Sequence, residues 1–386
     1  MKKKISTLGI LAMMVLTLGG CGTKDKTSDD YDYNQERLAY GGVALTPNGL
    51  YTIDSSDYIT CISPKGERLN LGTEVGQEAG DNNEKYPTDI HELFYYNDKL
   101  LYSVIDLEHH RTYFYSMSDN LDVRKAEFEV VFPNFLEEEG LSAGTSVSSN
   151  SRISGNIYVE EFSMMKGKTT IEKIYVTNLD EPTKTVEVNL DAVGGGSVFR
   201  AGTEWILITQ WEAGVKETML GYNVKTKEIK IFANRTNFLA GEYWLSDAKV
   251  RGDEVYWYEY GTGFCKKNIK ENTNPNKKTV VLPLKEGEWM GNGTISRNYF
   301  ILCNMKYPKN PILEEKEGIS FYNLKGELKQ FIATKGEFYR YFMETKDKIY
   351  FSNEGMLGNK PTVFIEKASL KKGSAKLIKI ENAKGN

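Results

Sequence analysis

Short runs of alternating apolar and polar residues, rich in aromatic side chains, recur along most of the chain. The clearest run of each repeat begins at one of seven positions: Gly49, Lys99, Asn156, Glu204, Glu254, Asn298 and Lys348. Subtracting neighbouring positions gives spacings of 50, 57, 48, 50, 44 and 50 residues. A strand-rich repeat of about 40–50 residues is typical of β-propellers, where one repeat forms one blade. The sequence therefore predicts an all-β fold, a seven-bladed β-propeller of four-stranded antiparallel blades over residues 38–383, with six or eight blades as alternatives.

The alternation also predicts individual strands. In blade two we expect strands over residues 90–96, 100–105, 112–117 and 125–131, and in blade one an inner strand over 38–45. Charged residues alternate with apolar ones in the fourth strand of blade two, as expected for an outer edge that must not pair with a foreign strand. One helix is predicted, over residues 134–139, because Asn134 can cap it and Gly140 can end it.

The N-terminus reads as a targeting segment rather than as part of the fold. Lysines at positions 2–4 precede an apolar run over residues 8–18, which is too short to span a bilayer. Its end, Leu18-Gly19-Gly20-Cys21, resembles the lipobox of bacterial lipoproteins. The resemblance implies a signal peptide over 1–20 and acyl chains, palmitate among them, on Cys21; the alternative is a plain secretory signal. Residues 22–37 are polar and charged, so we expect 21–37 to form a flexible tether.

The distribution of charge argues against a nucleic-acid partner. The formal net charge is -4, with acidic and basic residues interspersed, whereas nucleic-acid binding needs a concentrated cationic surface. We therefore expect no nucleic-acid partner.

Besides Cys21 the chain has Cys61, Cys265 and Cys303. We expect these three to be buried free thiols, because the sheets of neighbouring blades lie too far apart for a disulfide bridge. Their spacing suits no metal site, and no cofactor motif is present.

The repeat carries a resemblance to known propellers. Its recurrent turn, as in Asn323-Leu324-Lys325-Gly326, and its loose aromatic strands resemble the bacterial propellers that include TolB-like, quinoprotein-like and lipoprotein-receptor-type blades. The resemblance covers about residues 38–381 and rests on periodicity rather than on a diagnostic motif. It implies the fold and no catalytic residue. The rival fold, an α/β solute-binding protein, requires long amphipathic helices that the pattern lacks.

Four aromatic residues are the predicted binding site. We assign Trp211, Tyr260 and Tyr307 to second-to-third-strand loops and Trp289 to a loop between blades. These loops open on one face, so the four residues are expected to form an aromatic rim for a sugar or a peptide. The alternative is ordinary packing of loop aromatics against the blades.

Two polar segments are weaker candidates. Asp106, His109 and His110 could bind a metal or transfer protons, but neighbouring strand residues point to opposite faces. Acidic residues gather at 137–139 and, in the preceding inter-blade loop, at Glu74, Glu78, Asp81 and Glu84. Such carboxylates could hold calcium, and the alternative is a solvated acidic surface.

These observations favour binding over catalysis. We expect a lipid-anchored, extracytoplasmic module at the cell membrane that binds or scaffolds a protein or glycan partner of the cell envelope. One alternative is a carbohydrate-active enzyme with acidic residues on the rim. Another is a sensory ectodomain that works with a membrane partner.

Overall fold

The computed structural model describes most of the residues beyond the predicted tether. These are residues 43–53, 58–74, 90–116, 126–142, 144–190, 196–212, 216–236, 245–259, 262–271, 274, 277–283, 292–304, 318–353 and 361–382. The chain divides into two units, Met1–Asp32 and Tyr33–Asn386, and all described residues belong to the second. None of the described helices is long and apolar enough to cross a membrane.

In the described residues the second unit contains seven blades of four antiparallel strands each, taken in chain order, which confirms the predicted seven-bladed propeller. Blade one contains β1 (Val43–Thr46), β2 (Gly49–Ile53), β3 (Tyr58–Ile62) and β4 (Glu67–Glu74). Blade two contains β5 (Ile90–Tyr96), β6 (Lys99–Asp106), β7 (Arg111–Ser116) and β8 (Phe128–Val131). Blade three contains β9 (Val147–Ser154), β10 (Ile157–Lys166), β11 (Thr169–Asn178) and β12 (Thr185–Glu187).

The remaining four blades follow the same order. Blade four contains β13 (Ser197–Arg200), β14 (Trp205–Glu212), β15 (Lys216–Asn223) and β16 (Ile229–Thr236). Blade five contains β17 (Leu245–Arg251), β18 (Glu254–Glu259), β19 (Gly263–Asn268) and β20 (Thr279–Pro283). Blade six contains β21 (Asn292–Ile295), β22 (Tyr299–Asn304), β23 (Gly318–Asn323) and β24 (Leu328–Ala333). Blade seven contains β25 (Tyr339–Glu344), β26 (Lys348–Asn353), β27 (Val363–Glu366) and β28 (Ile378–Lys379), and β29 (Glu381–Asn382) follows it.

The first strands of the blades form the inner wall of the ring, since β1 lies beside β5, β5 beside β9 and β17 beside β21. Because successive strands run in opposite directions, the first-to-second and third-to-fourth turns of every blade open on one face. We call this the turn face. The second-to-third loops and the inter-blade segments open on the opposite face, which we call the loop face.

The hydrophobic core is divided among the interfaces between blades. Apolar clusters lie between each consecutive pair of blades from one to seven. Strand β18 shows why: Val255, Trp257 and Tyr258 are all fully buried, because one side of the sheet meets blade four and the other meets blade six. A continuous apolar run is the expected sequence of such a strand.

Two helices lie among the strands in the described part of the chain. Helix α1 (Phe135–Glu138) confirms the predicted one, and the Asn134 side chain accepts the N–H of Glu137 at 3.2 Å. Helix α2 (Lys367–Lys371) follows directly after β27, the third strand of blade seven. Its formation follows from burial of Leu370 and Lys367, which are 1% and 6% exposed.

The ring closes between blades seven and one, where the sheet of blade one also includes the C-terminal strand β29. The inner strand of blade one begins at Val43 in the described residues, and the predicted positions 38–42 lie outside them. Strand β29 pairs in parallel with β4, at the outer edge of blade one. In addition, Arg68 donates to the carbonyl oxygen of Pro361 at 2.7 Å, and Gly66, at a φ of 90°, lies against the ring of Phe364.

The three described cysteines are free and buried, as expected. Burial raises the pKa of the Cys265 thiol to about 12, and it also raises the pKa of Cys61. These thiols are therefore protonated, apolar core groups at neutral pH.

Candidate functional site

Most of the predicted binding rim and the predicted lipidation site lie outside the described residues. These positions are Tyr260, Trp289, Tyr307 and Cys21. An aromatic rim on the loop face and lipid attachment therefore stay predictions.

The fourth rim residue, Trp211, lies in a strand rather than in the loop assigned from the sequence. It is the penultimate residue of β14 and is paired with Glu217 of β15. The two strands remain paired as far as Glu212 and Lys216, which lengthens the hairpin beyond the apolar run that marked it. Trp211 therefore lies at the end of blade four that opens onto the loop face.

The histidine segment does not assemble a common site. The Nδ1 atom of His109 lies 2.8 Å from Oδ2 of Asp106, and Oδ1 of the same carboxylate accepts the backbone N–H of His109 at 3.1 Å. His110 instead meets Phe135 edge to face, with ring centroids 4.9 Å apart. The two imidazoles thus have different partners. No group of three His, Cys, Asp or Glu side chains within the described ranges is placed to hold a metal ion.

Neighbouring side chains bind Glu137 and Glu139 of the acidic segment at 137–139. Glu137 accepts from Asn134, which caps helix α1. Glu139 forms ion pairs with Lys173 at 2.9 Å and with Lys166 at 3.9 Å. The side chains of the other acidic candidates, Glu74, Glu78, Asp81 and Glu84, lie outside the described residues.

Buried carboxylates instead bond one blade to the next. Asp247 of β17, 1% exposed, accepts the hydroxyl of Thr294 and the N–H of Ile295, both at 2.6 Å, from the inner strand of blade six. Its other oxygen pairs with Arg200 of blade four. One carboxylate therefore connects three consecutive blades.

Glu344 and Glu161 have similar positions elsewhere in the ring. Glu344 of β25 is fully buried, accepts the N–H of Arg297 in blade six at 2.6 Å, and pairs with Lys367 of its own blade. Glu161 of β10 accepts the N–H of Val198 in blade four at 3.1 Å. Burial raises the pKa of Glu161, but its hydrogen bonds belong to the blade interface. The sequence analysis missed these contacts, whose only signal was an ionisable residue inside an otherwise apolar strand.

Arg152 lies close to this set on the inner strand of blade three. It donates to Asn150 Oδ1 at 2.6 Å, and burial lowers the pKa of its guanidinium. The charges that oppose this shift include those of Glu161 and Glu92. The guanidinium of Arg152 therefore lies among carboxylates of blades two and three.

Blade five contains a further buried ion pair close to the loop face. Burial opposes ionisation of Glu259, but Lys278, at 2.5 Å, outweighs it and the pKa of the carboxyl is lowered. The indole N–H of Trp257 and the hydroxyl of Thr262 also donate to this carboxylate, at 3.2 and 3.0 Å. The group is saturated with donors, so its role in the described residues is to fix the end of blade five.

A groove lies between blades two and three on the turn face, and we call it the blade 2–3 groove. Its volume is about 350 Å³. Its lining residues are Tyr96, Asn97, Lys99, Leu101, Glu127, Phe128, Leu179, Asp180 and Pro182. Tyr96 donates to Asp180 at 2.6 Å across the two blades, and Lys99 donates to Glu127 at 2.7 Å within blade two. The groove was not predicted, because the sequence analysis assigned binding to the loop face.

Comparison with known proteins supports the fold and leaves the chemistry open. No protein-family model matches this sequence, and neither does any curated protein. A chain from a structural study of two prolyl endopeptidases has a TM-score of 0.54 and 9% identity, over 92% of this chain and 51% of that one. This chain thus spans about half the length of that protein. At such identity the similarity shows a shared propeller fold and nothing about activity.

Two other solved structures are similar over most of this chain. Dipeptidyl peptidase 4 from Porphyromonas gingivalis has a TM-score of 0.45 and 11% identity, over 96% of this chain and 61% of that one. A puromycin-hydrolysing peptidase from Mycobacterium tuberculosis has a TM-score of 0.48 and 10% identity, over 93% of this chain and 56% of that one.

Proposed function

We propose that this propeller is a binding or scaffold module, held on the extracytoplasmic side of the cell membrane by lipid on Cys21. Its partner is a protein or glycan of the cell envelope. The observation that supports this best is that buried carboxylates bond neighbouring blades to one another. The described carboxylates Glu161, Asp247 and Glu344 are bonded to neighbouring blades, so they build a rigid ring rather than a reaction centre. A rigid ring that displays variable loops is suited to recognition.

The carbohydrate-enzyme alternative would need a carboxylic acid with a raised pKa beside a second carboxylate in a pocket. Among the described residues Glu161 has a raised pKa, but it is 7% exposed and accepts a backbone N–H of the next blade. Binding is therefore the function that the geometry supports better. The sensory role requires the same partner-binding surface and is a special case of this proposal.

Two experiments test the proposal. For the anchor, wild type and Cys21→Ala are expressed in bacteria that process lipoproteins and are labelled with a fatty acid. We expect label and membrane association in wild type, and neither in the variant. Label on both proteins, or on neither, would refute attachment at this residue.

For the binding surface, the purified domain captures partners from envelope extract, with Trp211, Tyr260, Trp289 and Tyr307 replaced by alanine singly and together. We expect capture to fall, because aromatic side chains dominate many binding surfaces. Core residues such as Tyr222, which is buried in blade four, are not substituted, so we expect the fold to be preserved. The melting temperature of each variant checks this. Undiminished capture by the fourfold variant would refute the rim.

A further inference from the structure

The floor and the edge of the blade 2–3 groove differ in chemistry. Phe128 and Tyr96 are half-buried, and their rings meet edge to face with centroids 6.0 Å apart. Leu101 and Leu179 complete an apolar floor. Around this floor lie charged and polar side chains that are exposed to solvent, among them Asp180. The groove can therefore accept a group that is apolar along its length and polar at its end.

The surface carboxylate of Asp180 is held by two neutral donors. Tyr96 donates to one of its oxygens at 2.6 Å, and the Asn156 side chain donates to the other at 2.5 Å. These hydrogen bonds, that from Tyr96 first, lower the pKa of Asp180, so it is ionised at neutral pH. Both donors are neutral, and within the described part of the chain Asp180 makes no ion pair.

Two carboxylates of blade two, by contrast, have a cation beside them. Glu127, on the opposite side of the groove, is 2.7 Å from the ammonium of Lys99. Glu129 is 2.9 Å from the guanidinium of Arg111. The Lys99–Glu127 pair is neutral as a unit, so the net charge of the groove is that of Asp180. Two neutral donors hold this negative charge in a fixed orientation at the edge of an apolar floor.

Long basic side chains match this arrangement. Lysine and arginine bury an aliphatic stem along apolar surface and keep the charged head in a polar environment. A guanidinium or ammonium also forms short, charge-assisted hydrogen bonds to a carboxylate, which retains unused lone pairs after two donors have bonded. A volume of about 350 Å³ lies at the lower end of the range for small binding pockets, so it suits one side chain with its flanking backbone.

We propose that the blade 2–3 groove binds the basic side chain of a protein partner, with the stem on Phe128 and Tyr96 and the cationic head on Asp180. The site is on the turn face, opposite the predicted aromatic rim. It therefore extends the proposed function with a second contact surface, and either site can fail its test without affecting the other.

The test measures binding of a fluorescent peptide that contains one arginine flanked by leucine and glycine. Matched peptides carry citrulline, lysine or norleucine at that position. By fluorescence anisotropy at low salt, we expect the arginine and lysine peptides to bind and the citrulline and norleucine peptides to bind about tenfold more weakly, because one charge-assisted hydrogen bond is lost. Salt at 0.5 M weakens binding of the two basic peptides only.

Two variants shift the charge of the groove in opposite directions. Asp180→Asn keeps an oxygen for the Tyr96 hydroxyl and removes the charge, so we expect Kd for the arginine peptide to rise about tenfold. Lys99→Gln leaves Glu127 without its cation, so we expect Kd to fall about two- to threefold. Asp253→Asn is the control, because it removes a charge from an exposed turn of blade five on the same face and should leave Kd unchanged.

Three outcomes would overturn the proposal. They are equal binding of the arginine and citrulline peptides, a Kd that moves in the same direction for Asp180→Asn and Lys99→Gln, and the same loss for Asp253→Asn as for Asp180→Asn. Binding of a neutral oligosaccharide that the groove variants abolish would assign the groove to glycans instead. Melting temperatures within about 2 °C of wild type would show that the exposed substitutions leave the fold intact.

Discussion

The buried pair of Lys367 and Glu344 allows a sharp test of how the blades are held together. Lys367 is 6% exposed, pairs with Glu344 and donates to the carbonyl of Thr345 at 2.6 Å. Replacing Lys367 by methionine keeps the apolar stem and removes the ammonium. Glu344 is then a buried carboxylate that has lost the ammonium of Lys367 and still accepts the N–H of Arg297. Breaking a buried pair in this way costs about 3–5 kcal/mol.

The corresponding change in melting temperature follows from the size of the propeller. Unfolding entropy is about 2.1 cal/mol/K per residue, and the described fold extends from Val43 to Asn382, about 340 residues. The total is roughly 0.7 kcal/mol/K, so a loss of about 3–5 kcal/mol lowers the melting temperature by about 4–7 °C. Differential scanning calorimetry at pH 7 measures this change.

A double variant distinguishes charge from packing. Adding Glu344→Gln to Lys367→Met removes the uncompensated charge, while the amide oxygen can still accept from Arg297. We therefore expect the double variant to be more stable than Lys367→Met alone, by about 1–2 kcal/mol. A double variant that is less stable than the single one would show that the buried charge is not what destabilises it, and would refute the reasoning.

Three further predictions concern other parts of the ring. A non-glycine residue in the left-handed conformation costs roughly 1–2 kcal/mol. Gly66→Ala should reduce the free energy of unfolding by more than this, because the new Cβ would lie 2.5 Å from the ring of Phe364. Chemical unfolding should show a smaller loss for the control Gly373→Ala, where the Cβ would enter open space. Because the pKa of Glu259 is lowered, its stabilisation is complete above the unfolded value of about 4.3 and is lost as the pH falls through the lower folded pKa. The difference in unfolding free energy between wild type and Glu259→Gln should therefore shrink from pH 7 to pH 3, and a constant difference would contradict the assignment. A thiol reagent at pH 8 should leave buried Cys265, whose pKa is about 12, unmodified until the protein unfolds, so rapid labelling of all cysteines in the native state would contradict its burial.

The sequence was sufficient for the architecture because a propeller repeats its local pattern. Each blade is built from neighbouring strands, so a spacing such as that between Gly49 and Lys99 reports directly on the fold. The strand predicted over 90–96 matches β5, and Asn134 caps helix α1 as expected. These features depend on residues a few positions apart, where local propensities and caps act.

The candidate site could not be predicted in the same way, because its contacts join distant positions. Tyr96 and Asp180 are 84 residues apart, and their meeting depends on how blades two and three are staggered, which no local pattern encodes. The relative position of blades five and six likewise brings Asp247 into contact with Thr294, 47 residues away. Trp211 was assigned to a loop because it lies beyond the apolar run that marks the strand in the sequence. The hydrogen-bonded pairing of the two strands extends past that run and includes it.

The parallel pair between β29 and β4 has a consequence for how the molecule opens. All seven blades are contiguous stretches of chain, and the sheet of blade one also includes β29, so separation of blade seven from blade one leaves the four strands of each blade in place. Within the described residues, the contacts that must be released include the pairing of β29 with β4, the hydrogen bond from Arg68 to Pro361 and the packing of Phe364 against Gly66. Amide hydrogens of β29 should thus exchange with solvent through an opening of lower free energy than those of the buried strand β18. The ring has a seam, and thermal fluctuations that open it can leave every blade folded.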